Sequence, residues 1–162
     1  MKKLLVVIIA MFAAVSSFAQ TLPPLYRYDL KTEEGCEEAD AIALQVADYL
    51  FETPFITDDE NRLRAASFLN RWMDGTPTYT FMIDEDVTAN FDGDPELTDM
   101  YMAALTRFQL RNPDVKDEAK ISVEAMKQVL NYANKDENIV LLTKRLEKLI
   151  AANQQGRLEK VL

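Results

Sequence analysis

The sequence predicts an all-α fold: five helices in an array of antiparallel hairpins, with an extended N-terminal arm and one extended connector near residues 78–83. Three observations predict it. Apolar residues recur at spacings of three and four along five separate stretches, the period of a helix face. Capping residues precede most of those stretches, and beyond residue 19 every glycine and proline falls at an inferred boundary, so local and global signals agree. Only one run alternates like a strand, and no second run exists to pair with it.

Residues 1–19 read as a signal peptide. Lys2 and Lys3 precede an unbroken apolar run over residues 4–15, and Ser17-Phe18-Ala19 sets small residues before Gln20. As a helix that run reaches about 18 Å, short of the roughly 30 Å hydrocarbon core, which favours cleavage over anchoring. No later stretch is long and apolar enough for a membrane span, so the expectation is export to the periplasm or the outside. Residues 20–36 carry Pro23-Pro24 and no helical period, and read as an extended arm. Its Leu22, Leu25, Tyr26, Tyr28 and Leu30 are too apolar for a free linker and should lie against the remaining unit, a single helical domain over residues 37–162.

The first helix spans residues 37–52, with Ala39, Ile42, Ala43, Val46, Ala47, Tyr49 and Leu50 on one stripe and Pro54 closing it. Thr57-Asp58-Asp59-Glu60 has capping-box form and opens the second helix, whose stripe is Leu63, Ala66, Leu69 and Met73, widened by Ala65, Phe68 and Trp72. Gly75 suits a left-handed position after its last turn. The alternating Tyr79, Phe81 and Ile83 then make the connector. Asp94-Pro95-Glu96 starts the third helix, which runs to about Asn112 on Leu97, Met100, Tyr101, Ala104, Leu105 and Phe108. Asp117 caps the fourth, and the fifth carries Ile139, Leu142, Leu146, Leu149 and Ile150 up to Gly156.

Missing residue types exclude much chemistry. The chain has no histidine, which removes Ser-His-Asp and Cys-His nucleophiles and imidazole zinc sites. Cys36 is the single cysteine, so no intramolecular disulfide or thiolate cluster can form. It reads as a thiol packed near the start of the first helix, with a redox or dimer-linking role as the alternative. Four scattered glycines make no phosphate-binding loop. The net charge of −9, or −11 without the two leader lysines, disfavours nucleic acid. It is also uneven: residues 21–106 hold 5 basic and 19 acidic side chains, residues 107–162 hold 11 and 8. The two halves could attract each other, or the acidic half could face a cationic partner.

Two segments remain as candidate sites. The densest aromatic stretch contains Trp72, Tyr79 and Phe81, which read either as packing between the two hairpins or as a partner-binding surface. The position of Trp72, four residues after Phe68 on the same face, favours a buried indole with the connector lying over it. The segment 84–99 is acidic, and Asp84, Asp86, Asp92 and Asp94 are candidate calcium ligands, although the EF-hand register puts Pro95 where glycine is needed. Otherwise these acids form a solvated loop that caps the next helix. The pair Met100 and Met102 reads as core filler or as a pliable peptide groove.

With the leader, Leu50-Phe51-Glu52-Thr53-Pro54-Phe55, Trp72-Met73-Asp74-Gly75-Thr76-Pro77-Thr78-Tyr79-Thr80-Phe81 and Gly156-Arg157-Leu158-Glu159-Lys160-Val161-Leu162, the chain resembles a family of small exported proteins of Bacteroidetes-type bacteria. The resemblance implies export and a helical fold and assigns no catalytic or binding residue. A hairpin of the third and fourth helices is also similar in length to a tetratricopeptide unit, an analogy of fold alone. The expected function is a non-catalytic exported module that binds or supports another envelope or secreted protein. The alternatives are a small-ligand or calcium-binding protein using the acidic segment, and an enzyme working through carboxylates. No catalytic residue and no cofactor is assigned.

Overall fold

The computed structural model describes residues 21–83 and 85–162. The predicted signal peptide lies outside them. Seven α-helices follow in order: α1 (Glu33–Glu38), α2 (Asp40–Glu52), α3 (Glu60–Gly75), α4 (Glu85–Thr88), α5 (Pro95–Arg111), α6 (Glu118–Ala133) and α7 (Lys144–Gln154). Three short 3-10 turns, Leu25–Arg27, Ala89–Phe91 and Leu158–Lys160, complete the regular structure, and no strand occurs among the described residues. Among the described residues the chain is all-helical, as predicted, but with seven α-helices instead of five. None of these helices is long and apolar enough to cross a membrane.

The two added helices are short and locally made. The arm was expected to stay extended through residue 36; instead the Thr32 hydroxyl accepts the Gly35 N–H at 3.1 Å and starts α1. Ala39 (φ −86°, ψ −4°) then redirects the chain into α2. In the acidic segment, α4 runs into the Ala89–Phe91 turn, where the Asn90 amide donates to the carbonyls of Asp86 and Val87. Long connector residues 78–83 carry neither helix nor strand, as expected.

Caps decide the remaining boundaries. Asp94 accepts from the backbone N–H groups of Glu96 and Leu97, and Asp117 from Lys120, both as predicted. For α3 the cap is Asp59, which accepts the Arg62 N–H at 2.8 Å, and not Thr57. The last long helix starts later than predicted. Asn138 is buried, its amide donating to Tyr132 O and accepting from the Phe55 N–H, which holds the chain before Thr143 caps α7. Ile139, assigned above to a buried stripe, is consequently 85% exposed.

The interior is built around α5, which touches α2, α3 and α6, while α6 carries α7. Leu97, Met100, Tyr101, Ala103, Ala104 and Leu105 are all buried, so α5 hides nearly its whole circumference. Asp48 of α2 ties to it through Arg107 (2.6 Å) and Arg111 (2.6 Å), and the Arg107 guanidinium lies 4.9 Å from the Phe51 ring centre. This is the attraction between the acidic and basic halves that the charge distribution suggested.

Trp72 closes the other end of α3. Its indole is 0% exposed and donates to Cys36 O at 3.0 Å and Asp40 Oδ1 at 3.1 Å, at the elbow between α1 and α2. The rings of Tyr79 and Phe81 lie against it at 5.9 and 5.7 Å. Gly75 is the last residue of α3 and not a left-handed residue beyond it. Its missing side chain instead allows close approach: a Cβ there would come within 2.7 Å of Cys36 Sγ and 3.2 Å of Leu30 O. Burial of this size predicts that Trp72→Ala costs about 3 to 5 kcal/mol in chemical denaturation. The intact protein should emit at short wavelength with little iodide quenching; free quenching would contradict the placement.

Candidate functional site

The predicted candidates are brought together only in part. Trp72, Tyr79 and Phe81 form one cluster, but the indole is enclosed, so it offers no surface to a partner, and the core reading of Trp72 holds. Tyr79 and Phe81 are half-buried lids over it. Met100 is buried, and its sulfur accepts from Arg62 Nη2 at 3.1 Å; Met102 is partly buried against the core.

The acidic candidates do other work. Asp94 spends its carboxylate on the α5 cap, and Asp92 takes a left-handed conformation (φ 52°) that ends the Ala89–Phe91 turn. Asp86 is exposed in the first turn of α4, and Asp84 lies outside the described residues. Among the described residues no group of three or more His, Cys, Asp or Glu side chains is placed to hold a metal ion. The calcium reading is left without a ligand set there.

A more consequential residue was not singled out in the sequence. Arg62 of α3 is buried, and Nη1 donates to Leu50 O (3.0 Å), Thr53 O (3.4 Å), Thr53 Oγ1 (3.0 Å) and Pro54 O (3.3 Å). These carbonyls lie at the C-terminal end of α2, where a helix presents partial negative charge. The Phe55 and Tyr132 rings flank the guanidinium at 5.4 and 5.9 Å, supplying cation–π attraction. The Tyr132 hydroxyl donates to Thr53 O at 2.7 Å, and burial raises its pKa to about 12, so it remains a donor at neutral pH.

Beside Arg62 is a cavity of about 20 Å³ lined by Asp59, Glu96, Asp99 and Met100. Burial raises the carboxyl pKa of both Glu96 and Asp99, partly offset by hydrogen bonds from the Asp58 N–H and the Asn70 amide and by Arg62. Paired acids with raised pKa values are one mark of acid–base chemistry. This space, however, holds about one water molecule, which leaves no room for a substrate.

A larger opening lies on another face of α3. A groove of about 900 Å³ runs between the arm, through Leu25, Tyr26 and Lys31, and the α3 residues Leu63, Arg64, Ser67 and Arg71. Leu63, assigned above to the core stripe, is 47% exposed and faces this groove. The buried stripe of α3 is Arg62, Ala65, Ala66, Phe68, Leu69 and Trp72, rotated from the predicted one because Arg62 turns inward. The sequence held a signal for this: Leu63 is followed at four and seven residues by Ser67 and Asn70, whereas Arg62 is followed by Ala66 and Leu69.

Charge marks the same groove. Residues 21–106 contain five basic residues, and apart from buried Arg62 they are Arg27, Lys31, Arg64 and Arg71. Lys31, Arg64 and Arg71 line the groove; Arg27 does not, and sits 6.0 Å from the ring centre of Tyr26. Among the described residues none of the four pairs with a carboxylate; Arg71 Nε bonds only the Ser67 carbonyl of its own helix. Asp29, Glu60 and Asp74 line the groove as well.

Two outcomes check the assignments around Arg62. Arg62→Leu strands the α2 carbonyls and should cost about 3 kcal/mol or more, read as a lower denaturation midpoint. Because burial raises the Asp99 pKa, the folded state holds its proton more tightly than the unfolded chain, and ionisation costs stability as pH rises through the raised value. Asp99→Asn should therefore raise the melting temperature at pH 7, with the gain vanishing below the ordinary carboxylate range near pH 4; a loss at pH 7 contradicts it. Comparison with protein-family models, curated proteins and solved structures finds no match for this chain, so its function is read from this geometry.

Proposed function

We propose that the chain is an exported, non-catalytic helical module that binds another secreted or envelope protein, and that it belongs with the small exported Bacteroidetes-type proteins it resembles. The long helices act as the scaffold, with α2–α3 and α5–α6 as its antiparallel hairpins. The groove between the arm and α3 is the contact surface. The observation that carries this reading is the open groove itself, into which Leu63 and the 81%-exposed Tyr26 present apolar surface beside unpaired basic side chains. Exposed aromatic and arginine side chains around a concavity are the usual anchors of a protein interface. Its volume also falls in the range of small-ligand sites, but the groove is open and its charges are spread along a helix instead of converging.

The test is capture from envelope extracts with Tyr26→Ala/Leu63→Asp against a control change on α6, Lys120→Glu. Both are surface substitutions that should leave the melting temperature within a few degrees. A discrete partner retained by the control and lost from the groove variant supports the reading. Equal capture by both, or no partner for monodisperse protein, overturns it.

A further inference from the structure

Resting on that reading, we infer that the occupant of the groove is an extended peptide segment bearing two carboxylates three residues apart among aliphatic side chains. The inference comes from the order of side chains along the outward stripe of α3, which reads Glu60, Leu63, Arg64, Ser67, Arg71, Asp74. The stripe is basic at its centre and acidic at its two ends. Seven residues separate Arg64 from Arg71, two helical turns or about 10.5 Å along the axis. That is too far for both guanidinium groups to clasp one phosphate or one carboxylate. A chain in the extended polyproline II conformation advances about 3.1 Å per residue with three residues to a turn, so positions three apart share one face about 9 Å apart and place one carboxylate over each arginine.

The cations are available for this. Neither Arg64 nor Lys31 makes a side-chain hydrogen bond or ion pair among the described residues. Glu60 stands four residues before Arg64, a spacing that permits pairing, yet no such pair forms. Asp29, the arm's own acid in the groove, is occupied by the Lys31 backbone N–H at 3.2 Å. Leu63 and the arm's Leu25 and Tyr26 give aliphatic side chains of the peptide a surface to cover. Three of the four exposed bases of residues 21–106 line this groove together with Asp29, Glu60 and Asp74, so positive charge is concentrated locally at Arg64, Arg71 and the arm's Lys31, and it is there that a carboxylate is favoured.

The experiment uses residues 20–162 and four fluorescein-labelled peptides read by anisotropy: one with Asp at positions three apart among Leu and Val, its Asn analogue, its Lys analogue, and one with the two Asp adjacent. The spaced acidic peptide should bind at least tenfold more tightly than the Asn and adjacent-acid peptides at low salt, with the margin shrinking in 0.5 M sodium chloride. Arg64→Gln/Arg71→Gln, with an unchanged melting temperature, should reduce the acidic peptide to the affinity of the Asn analogue and leave the analogue itself unchanged. Equal binding of acidic and Asn peptides, no effect of the double variant, or binding to phosphatidylglycerol vesicles without peptide binding would overturn the inference. If the Lys or Asn peptide binds best and Leu63→Asp abolishes it, the groove remains the binding surface and only this occupant is wrong. If no peptide binds and Leu63→Asp leaves partner capture intact, both readings fall.

Discussion

A guanidinium buried with no ion-pair partner among the described residues sets the terms for the rest of this structure. Arg62 enters from α3, satisfies the exposed carbonyls at the end of α2, donates to the sulfur of Met100 on α5 and lies between Phe55 and Tyr132, the latter on α6. Four of the long helices therefore meet at one side chain. The usual penalty for burying a charge is met here by helix-end carbonyls and aromatic faces, not by an ion pair. The neighbouring acids Glu96 and Asp99 remain close enough to feel Arg62 while burial still raises their pKa values. Both line the small cavity beside Arg62 and belong to this structural arrangement.

The inward turn of Arg62 also explains where sequence reading succeeded and where it stopped. Caps are local, so Asp94 and Asp117 could be assigned from their neighbours alone, and α5 and α6 begin where they were expected. The aromatic cluster was legible too, since Trp72 shares a helix face with Phe68 and precedes an alternating aromatic run. The orientation of α3 was not. A rule that sends arginine outward and leucine inward misplaces both Arg62 and Leu63, because the carbonyls that make burial of Arg62 favourable come from a different helix. The same limit applies to Ile139: its apolar spacing suited a helix, but buried Asn138, bonded to Phe55 and Tyr132, keeps it out of one.

With Arg62 turned inward, Arg64 lies on the outer face and Leu63 on the boundary, lining both the small cavity beside Arg62 and the groove, and the candidate site follows from that rotation. The basic residues of the two halves then serve different ends. Arg107 and Arg111 are engaged by Asp48, and Arg145 donates to Asn90 Oδ1 at 2.8 Å, so these basic side chains of the second half hold the fold together. Exposed bases of the first half have no such partner and gather beside the arm. A charge distribution that looked like a simple acidic–basic division is, in three dimensions, a tied seam and a separate unpaired basic stripe.

The second wall of the groove depends on close packing, not on charge. Nothing covalent holds the arm to α3; the Cys36 thiol donates to Leu30 O at 3.6 Å, Tyr28 meets the Phe68 ring edge-on at 6.4 Å, and Gly75 lets Leu30 and Cys36 approach the end of the helix. Trp72 fixes the same corner by binding Cys36 O from the opposite side. Burial and Asp40 and Asp29 nearby raise the Cys36 pKa, keeping the thiol protonated and able to donate, the opposite of what a reactive cysteine requires. The lone cysteine therefore serves as a packing residue whose job is to seat the arm. Because the arm supplies Leu25, Tyr26 and Lys31 to the groove, the close approach that Gly75 allows to Leu30 and buried Cys36 helps to set where that wall stands.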